Sequence, residues 1–255
     1  MCALVFTVSV MIDYIYKYPR LYLNVSFEKK ASLPLMSDHV HYLRNVLRKV
    51  EGDNVRVFNG VDGEWLARIE KLGKKQCVVS LEDCIRAQTV NMRSVGLFFS
   101  PIKKQRMDIM IEKAVELGVT DLHPVIMSRT VLRKINKGRM TAQIIEASEQ
   151  SERLDIPVLH PACASLEGVS LSTAIYACVE RGQEIPVLSS FDLSDDCAFL
   201  IGPEGGFNDQ EKEWLKGAAH IIPVGLGEGI LRTETAAMAC LSYAQLSVLP
   251  NHKKK

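Results

Sequence analysis

The sequence predicts an α/β protein in two parts, a small β-rich barrel or sheet carrying one helix, followed by an α/β domain. Three observations lead to this. Strand-like runs at residues 55–58, 64–72 and 76–81 are separated by the turn signals Asn59-Gly60, Asp62-Gly63 and Gly73-Lys74. From about residue 90 the pattern changes to apolar strand runs alternating with helical periods. Two glycine-rich turns, Gly202-Pro-Glu-Gly-Gly206 and Gly225-Leu-Gly-Glu-Gly229, each follow an apolar strand and precede a helix.

Taken in order, residues 21–24 alternate like a strand after Pro19-Arg20. Asp38 then precedes a helix over 39–50, with Val40, Leu43, Val46, Leu47 and Val50 at helical spacing. His41, Arg44 and Arg48 share its polar face. In the second part a buried strand at 95–99 leads to a helix over 103–117 closed by Gly118, and then to a strand at 122–126. A helix near 139–152, strands near 156–159, 174–179 and 198–201, a helix over 208–216, a strand at 221–226 and a long helix over 233–249 complete the pattern. Asn208 with Glu211 reads as an N-cap and its reciprocal partner. The expected division is a leader over 1–18, a first domain over 19–88, a second over 89–250 and a basic tail over 251–255.

With 255 residues, 47% of them hydrophobic and 24% charged, the chain has material for a substantial core and no composition that favours disorder. The seven cysteines are scattered and form no C-x-x-C pair. That argues against a disulfide framework or a structural zinc site and for buried thiols in a reducing cytoplasm. The apolar run at 2–12 is too short to span a bilayer and has no basic segment before it, so no membrane partner is expected. A net charge of +1 hides an asymmetry. Residues 17–88 hold 13 basic against 9 acidic side chains and residues 89–160 hold 11 against 8, whereas residues 161–255 hold 7 against 12. A basic front and an acidic back point to a polyanion held by one part and a different ligand by the other.

The glycine turns bring the backbone close to a ligand at the strand ends. They are not a dinucleotide fingerprint: the spacing is wrong, and only 26 residues follow Gly229. No Gly-Lys-Ser/Thr follows the first turn, which excludes a P-loop, and H-E-x-x-H and G-x-S-x-G are absent, so metal and serine chemistry are weak readings and no metal is expected.

The pair Ile201-Gly-Pro-Glu-Gly-Gly206 and Leu226-Gly-x-x-Ile-Leu-Arg-Thr-Glu-Thr-Ala236 resembles the RsmE family, the ribosomal small-subunit methyltransferases of the SPOUT superfamily. His41 to Arg48 is similar to the family's H-x5-L-R helix, Lys113 to Gly118 to its K-x-x-E-L-G element, and Ala147-Ser-Glu-Gln-Ser151 to a further signature. Two departures stand out: Glu152-Arg153 where the family has Gly-Arg, and Glu228-Gly229 where a Pro-Arg or similar basic pair is usual. The resemblance implies a PUA-like N-terminal barrel, a C-terminal SPOUT α/β domain with a deep trefoil knot, and a homodimer. It also implies methyl transfer from S-adenosylmethionine to N3 of a uridine in 16S rRNA, as free RNA or in the small ribosomal subunit.

The same resemblance assigns the cofactor to Leu188, Ser189, Ile201, Gly202, Pro203, Glu204, Gly205, Gly206, Leu226, Gly227, Ile230 and Leu231, and puts Arg232 and Glu234 beside it. Arg232 is expected to stabilise a uracil oxyanion or hold a phosphate, and Glu234 to orient Arg232 or accept the proton. Residues 93–139 hold ten basic side chains against four acidic ones. Arg20, His41, Arg44, Arg48, Lys103, Lys104, Arg106, Arg129, Arg133 and Arg153 are the candidate RNA contacts. Two other readings remain open at this point, a noncatalytic RNA-binding or ribosome-assembly protein of the same fold and an enzyme acting on a ribose 2′-hydroxyl.

Overall fold

The computed structural model describes residues 15–89, 93–179 and 185–248, so most of the expected leader and the basic tail lie outside the described residues. The chain packs into two units, residues 1–90 with Glu152–Asp155, and residues 91–151 with 156–255.

In the first unit, β1 (Arg20–Tyr22), β2 (Ser32–Leu35), β3 (Asn54–Phe58), β4 (Glu64–Leu72) and β5 (Cys77–Arg86) form one sheet in the order β1-β3-β4-β5-β2. β1 and β3 are parallel and the other pairs antiparallel. The β3–β4 turn follows from its residues. Asn59 Oδ1 accepts from Val61 N and Asp62 N, at 2.9 and 2.7 Å. Gly63 has φ +81°, and a Cβ there would lie 2.3 Å from Arg86 O, so only glycine fits. Alternate residues of the strands, including Val55, Val57, Ala67, Ile69, Val79 and Leu81, fill the core. β2 is not expected from the sequence, because Pro34 interrupts its pattern. It pairs only with β5 at the sheet edge, where a missing N–H is tolerated.

The helix expected over 39–50 is shorter than that. A helical turn, α1 (Ser37–His41), runs into a wider π-type turn over Tyr42–Val46, and Arg48 takes φ +53°. The π-type turn inserts an extra residue and rotates the residues after it about the helix axis. Val40 and Leu43 stay buried, whereas Val46 and Val50 are carried out to 57% and 62% exposure.

Glu64 is fully buried and accepts from Arg20 Nε at 2.7 Å and from Arg56 and Arg86 Nη1 at 3.2 Å each. The Arg20 guanidinium also lies 3.7 Å over the Phe58 ring. The segment Glu152–Asp155 joins this network, with Glu152 Oε1 2.9 Å from Arg56 Nη2. Glu152, one of the two departures from the resembled motif, adopts φ +58°. Its ion pair offsets a conformation that costs a non-glycine residue about 1 kcal/mol. Glu152→Gly is therefore expected to be at least as stable as the native chain, and Glu152→Ala about 1 kcal/mol less stable than Glu152→Gly. Urea midpoints of the two variants check this, and equal midpoints would contradict it.

The second unit is built on β6 (Val95–Phe99), α2 (Lys104–Glu116), β7 (Asp121–Pro124), α3 (Lys137–Gln150), β8 (Val158–Leu159), β9 (Ile175–Cys178), β10 (Cys197–Ile201), α4 (Asp209–Gly217), β11 (Ile221–Val224) and α5 (Thr233–Ser247). These agree with the βα alternation of the sequence to within a few residues. All six strands are parallel, in the order β11-β9-β10-β6-β7-β8. Helices cover both faces, which is why β6 and β10 are apolar throughout. Leu97, Phe99, Phe199 and Ile201 face one core with residues of α2, α3 and α5; Phe98, Ala198 and Leu200 face the other with Leu215 of α4. The chain passes from β10 to β11 across β9, and the two glycine loops leave the carboxyl ends of the strands at this change of direction.

Candidate active site

The loop after β10 is drawn tight by Gly206 N donating to Pro203 O at 2.8 Å. Phe207 folds beneath it so closely that a Cβ on Gly202 would lie 3.1 Å from the ring. Asn208 and Glu211 form the capping box expected from the sequence, and Glu211 Oε1 also accepts from Ser128 N at 2.7 Å. Gly227 turns the loop after β11 with φ +114°. Thr233 Oγ1, in the first turn of α5, donates to Gly202 O at 3.1 Å and ties the two loops together. Leu188 N donates to Gly225 O, and Gly225 N to Pro186 O, each at 2.9 Å.

Between the loops lies a cavity of about 670 Å³. Nine of the twelve expected cofactor residues line it: Ile201, Gly202, Pro203, Gly205, Gly206, Leu226, Gly227, Ile230 and Leu231. Leu188 and Ser189 are outside its walls, Leu188 being buried and Ser189 O accepting from Tyr243 Oη. Glu204 lines a smaller cavity of about 420 Å³ with Arg106, Pro203, Ile230, Leu231, Arg232 and Thr233. The two spaces share Pro203, Ile230, Leu231 and Thr233 as walls, so they adjoin. Gly227 and Gly229 face the larger one with open space, since a Cβ on either would meet no protein atom within 4 Å.

Arg232 sits at the N-cap of α5, exposed, and its side chain caps nothing. Glu234, in the first turn of α5, is buried; its Oε2 has no hydrogen-bond partner among the described residues and lies 3.8 Å from Arg106 Nη1. Sequence reasoning missed Phe207 and Thr233 as site-forming residues, although Thr233 stands inside the second quoted motif and Phe207 directly follows the first. It also took Arg129 for an RNA contact alone. Arg129 lines the larger cavity and donates to Gly205 O at 2.6 Å.

Of the other basic candidates, Lys103, Lys104 and Arg133 are exposed on this unit, Arg133 reaching Ser128 O at 3.3 Å. His41, Arg44 and Arg48 are exposed on the first unit. Arg20 and Arg153 leave the RNA set. Arg20 is buried against Glu64 and Phe58, and Arg153 is held by both carboxylate oxygens of Asp155, so neither is open to a phosphate. Among the described residues the cysteines are free; Cys84 is exposed, which departs from the expectation of buried thiols.

Asp121, His123 and His160 bring potential metal-ligand atoms within 4.8 Å of one another. The His123 and His160 rings are stacked at 4.0 Å and 13°, so their lone pairs run side by side and do not converge on one ion. Asp121 Oδ1 pairs with His160 Nε2 at 2.7 Å. Burial, then the charge of His160, push the His123 pKa down to about 4. In the unfolded chain this imidazole titrates near pH 6.5. The folded state favours the neutral form, so this contribution is complete above pH 6.5 and is lost as the pH falls to about 4. The loss is on the order of 3 kcal/mol. His123→Phe, stacked on Phe98, is expected to flatten the stability profile over that window; thermal midpoints falling as steeply as in the native chain would refute the assignment.

A family described as an RNA methyltransferase domain matches residues 89–245, and one described as an RNA methyltransferase PUA domain matches residues 37–82. The ribosomal RNA small subunit methyltransferase E of Rickettsia conorii is 35% identical over 92% of this chain and 98% of its own. The protein of the same name from Synechocystis is 31% identical over 86% of this chain and 74% of its own. Among solved structures, a putative methyltransferase from Legionella pneumophila in complex with S-adenosylmethionine superposes with a TM-score of 0.81 at 28% identity, over 91% of this chain and 98% of that one. A ribosomal RNA small subunit methyltransferase E from Neisseria gonorrhoeae bound to S-adenosylmethionine gives 0.78 at 29% identity, over 90% and 97%.

Proposed function

This chain belongs to the ribosomal RNA small subunit methyltransferase E family, and on that ground we propose that it transfers the methyl group of S-adenosylmethionine to N3 of a uridine in 16S ribosomal RNA. The observation that carries the reading is the pair of adjoining cavities, the larger walled by both glycine loops and the smaller by Arg232. The larger one suits S-adenosylmethionine. Its walls combine apolar side chains with loop backbone, and Gly227 and Gly229 leave open the space that side chains would fill. Bound there, the cofactor supplies an electrophilic methyl group.

This chain's residues then have two tasks. They hold the uracil so that N3 is in line with the methyl group. They also stabilise the charge that appears on the ring carbonyls as N3 loses its proton. Arg232 donates to that developing oxyanion, and Glu234 orients a guanidinium or takes the proton. N3 lies on the pairing edge, so the uridine is unpaired or flipped out. Lys103 and Lys104 stand at the positive end of α2, where cations disfavour the helix but favour a phosphate. With Arg133, and with His41, Arg44 and Arg48, they supply phosphate contacts.

A homodimer, a cytoplasmic site of action and a trefoil knot belong to the same reading. Ile109 and Leu246, apolar and 44% and 63% exposed on α2 and α5, support the first of these. No helix among the described residues is long and apolar enough to cross a membrane. Transfer of label from methyl-labelled S-adenosylmethionine to small-subunit RNA tests the proposal, and absence of transfer to both free RNA and assembled subunits would contradict it.

A further inference from the structure

We propose that Arg106 is a second catalytic arginine of this site, meeting the carbonyl edge of the acceptor base beside Arg232, and that Glu234 acts through it. The inference rests on the methyltransferase function proposed for this chain. As part of the run Lys103-Lys104-x-Arg106 the residue looks like one more phosphate contact, but its surroundings differ from those of its neighbours. Lys103 and Lys104 are exposed, whereas the Arg106 side chain is 27% exposed and lines the smaller cavity with Arg232.

Two carboxylates from different elements, a loop and a helix, brace it. Nη2 lies 2.8 Å from Glu204 Oε1, in the loop after β10, and Nη1 lies 3.8 Å from Glu234 Oε2, in the first turn of α5. A planar fork held at both ends keeps one orientation and retains N–H groups for a third partner. Helix stability does not explain the residue, since a cation in the first turn of α2 opposes the helix dipole. Nor is this an ordinary surface pair, because the Glu234 side chain is only 10% exposed and its Oε2 lacks a hydrogen-bond donor. A buried carboxylate of that kind is costly unless a charge faces it, and Arg106 is the charge that does.

Glu234 itself is not part of the wall of either cavity, while Arg106 is. Of the two roles open to Glu234, orienting an arginine is thus the one the geometry favours, and the arginine is Arg106. Two guanidinium groups on one small cavity suit a ring whose reacting nitrogen is flanked by two carbonyl oxygens. As N3 gives up its proton to solvent water and bonds to the methyl carbon, whose bond to sulfur breaks with the electron pair leaving on sulfur, the negative charge that would reside on the carbonyl oxygens is met by N–H donors on the protein.

The test compares Arg106→Gln, Arg106→Lys, Glu234→Gln and the double variant Arg106→Gln/Glu234→Gln in the full chain. S-adenosylmethionine affinity serves as the check that each folds. RNA affinity is measured against salt without turnover, and kcat is measured at saturating RNA. We expect Arg106→Gln to leave RNA affinity and its salt dependence within twofold of the native chain while kcat falls on the order of a hundredfold. Lysine should restore little of this, and the double variant should be no slower than Arg106→Gln alone. A phosphate contact would instead weaken RNA binding, lower the salt slope by about one and spare kcat, and that overturns the proposal. Multiplying defects in the double variant overturn the claim that Glu234 acts through Arg106. A native chain that binds RNA but transfers no methyl group would sink the function itself; the salt slopes would still report whether Arg106 is a phosphate contact.

Discussion

Arg232→Ala is expected to lower kcat and kcat/KM together, on the order of a hundredfold or more, with S-adenosylmethionine affinity nearly unchanged. The reason lies in where the residue stands. The N-cap of a helix ordinarily carries Ser, Thr, Asp or Asn, and a cation there is mildly unfavourable. Arg232 occupies that position in α5, caps nothing, and lines the smaller cavity. A side chain that does nothing for the helix and borders the acceptor space is placed to interact when charge develops on the base. Lysine should rescue poorly, because an ammonium cannot reproduce the planar fork. A rise in KM with kcat preserved would make Arg232 a phosphate contact. A defect confined to cofactor affinity would make it a support of the loop after β11, and the catalytic role would then be withdrawn.

Gly205→Val is expected to reduce S-adenosylmethionine affinity by about a hundredfold or more, roughly 3 kcal/mol, with little loss of stability. Gly205 lines the larger cavity, and its backbone is outside the left-handed region, so valine brings no conformational strain there. The added Cβ would come within 3.3 Å of Arg129 Cδ, part of an exposed and flexible side chain that can move aside. Such a variant should fold and fail to bind. It separates ligand exclusion from protein disruption better than a change at Gly202, where the obstacle is the buried Phe207 ring. Calorimetry showing native affinity for Gly205→Val would remove this loop from the cofactor site.

These effects fall on parts of the site that were legible in the sequence to different degrees. Both glycine loops could be located because each follows an apolar run, and β10, before the first of them, is buried on both faces and so reads as a continuous hydrophobic segment. The capping box was visible because its two residues are three apart. Features carried by distant partners were not visible. Glu152 to Asp155 return to the first unit through the Glu152–Arg56 ion pair and hydrogen bonds from Arg20 and Arg86 to their carbonyls, all with residues far away in the chain. A run of basic residues declares its charge but not its direction. Arg20 and Arg153 therefore looked like RNA contacts until burial and Asp155 accounted for them, and Arg106 and Arg129 did not show that they turn inward onto the loop after β10. Local periodicity also cannot announce an inserted residue, which is how the π-type turn at Tyr42–Val46 displaced Val46 and Val50 from the expected apolar stripe.

If the two glycine loops and their arginines methylate a pyrimidine nitrogen, RNA digested after reaction with labelled S-adenosylmethionine will show, by mass spectrometry of its nucleosides, label in 3-methyluridine at a single position of the small-subunit RNA. That label will be lost with Arg232→Ala. Label in a 2′-O-methylated nucleoside would contradict the proposed chemistry, and tight RNA binding with no labelled nucleoside at all would leave a binding protein in place of an enzyme.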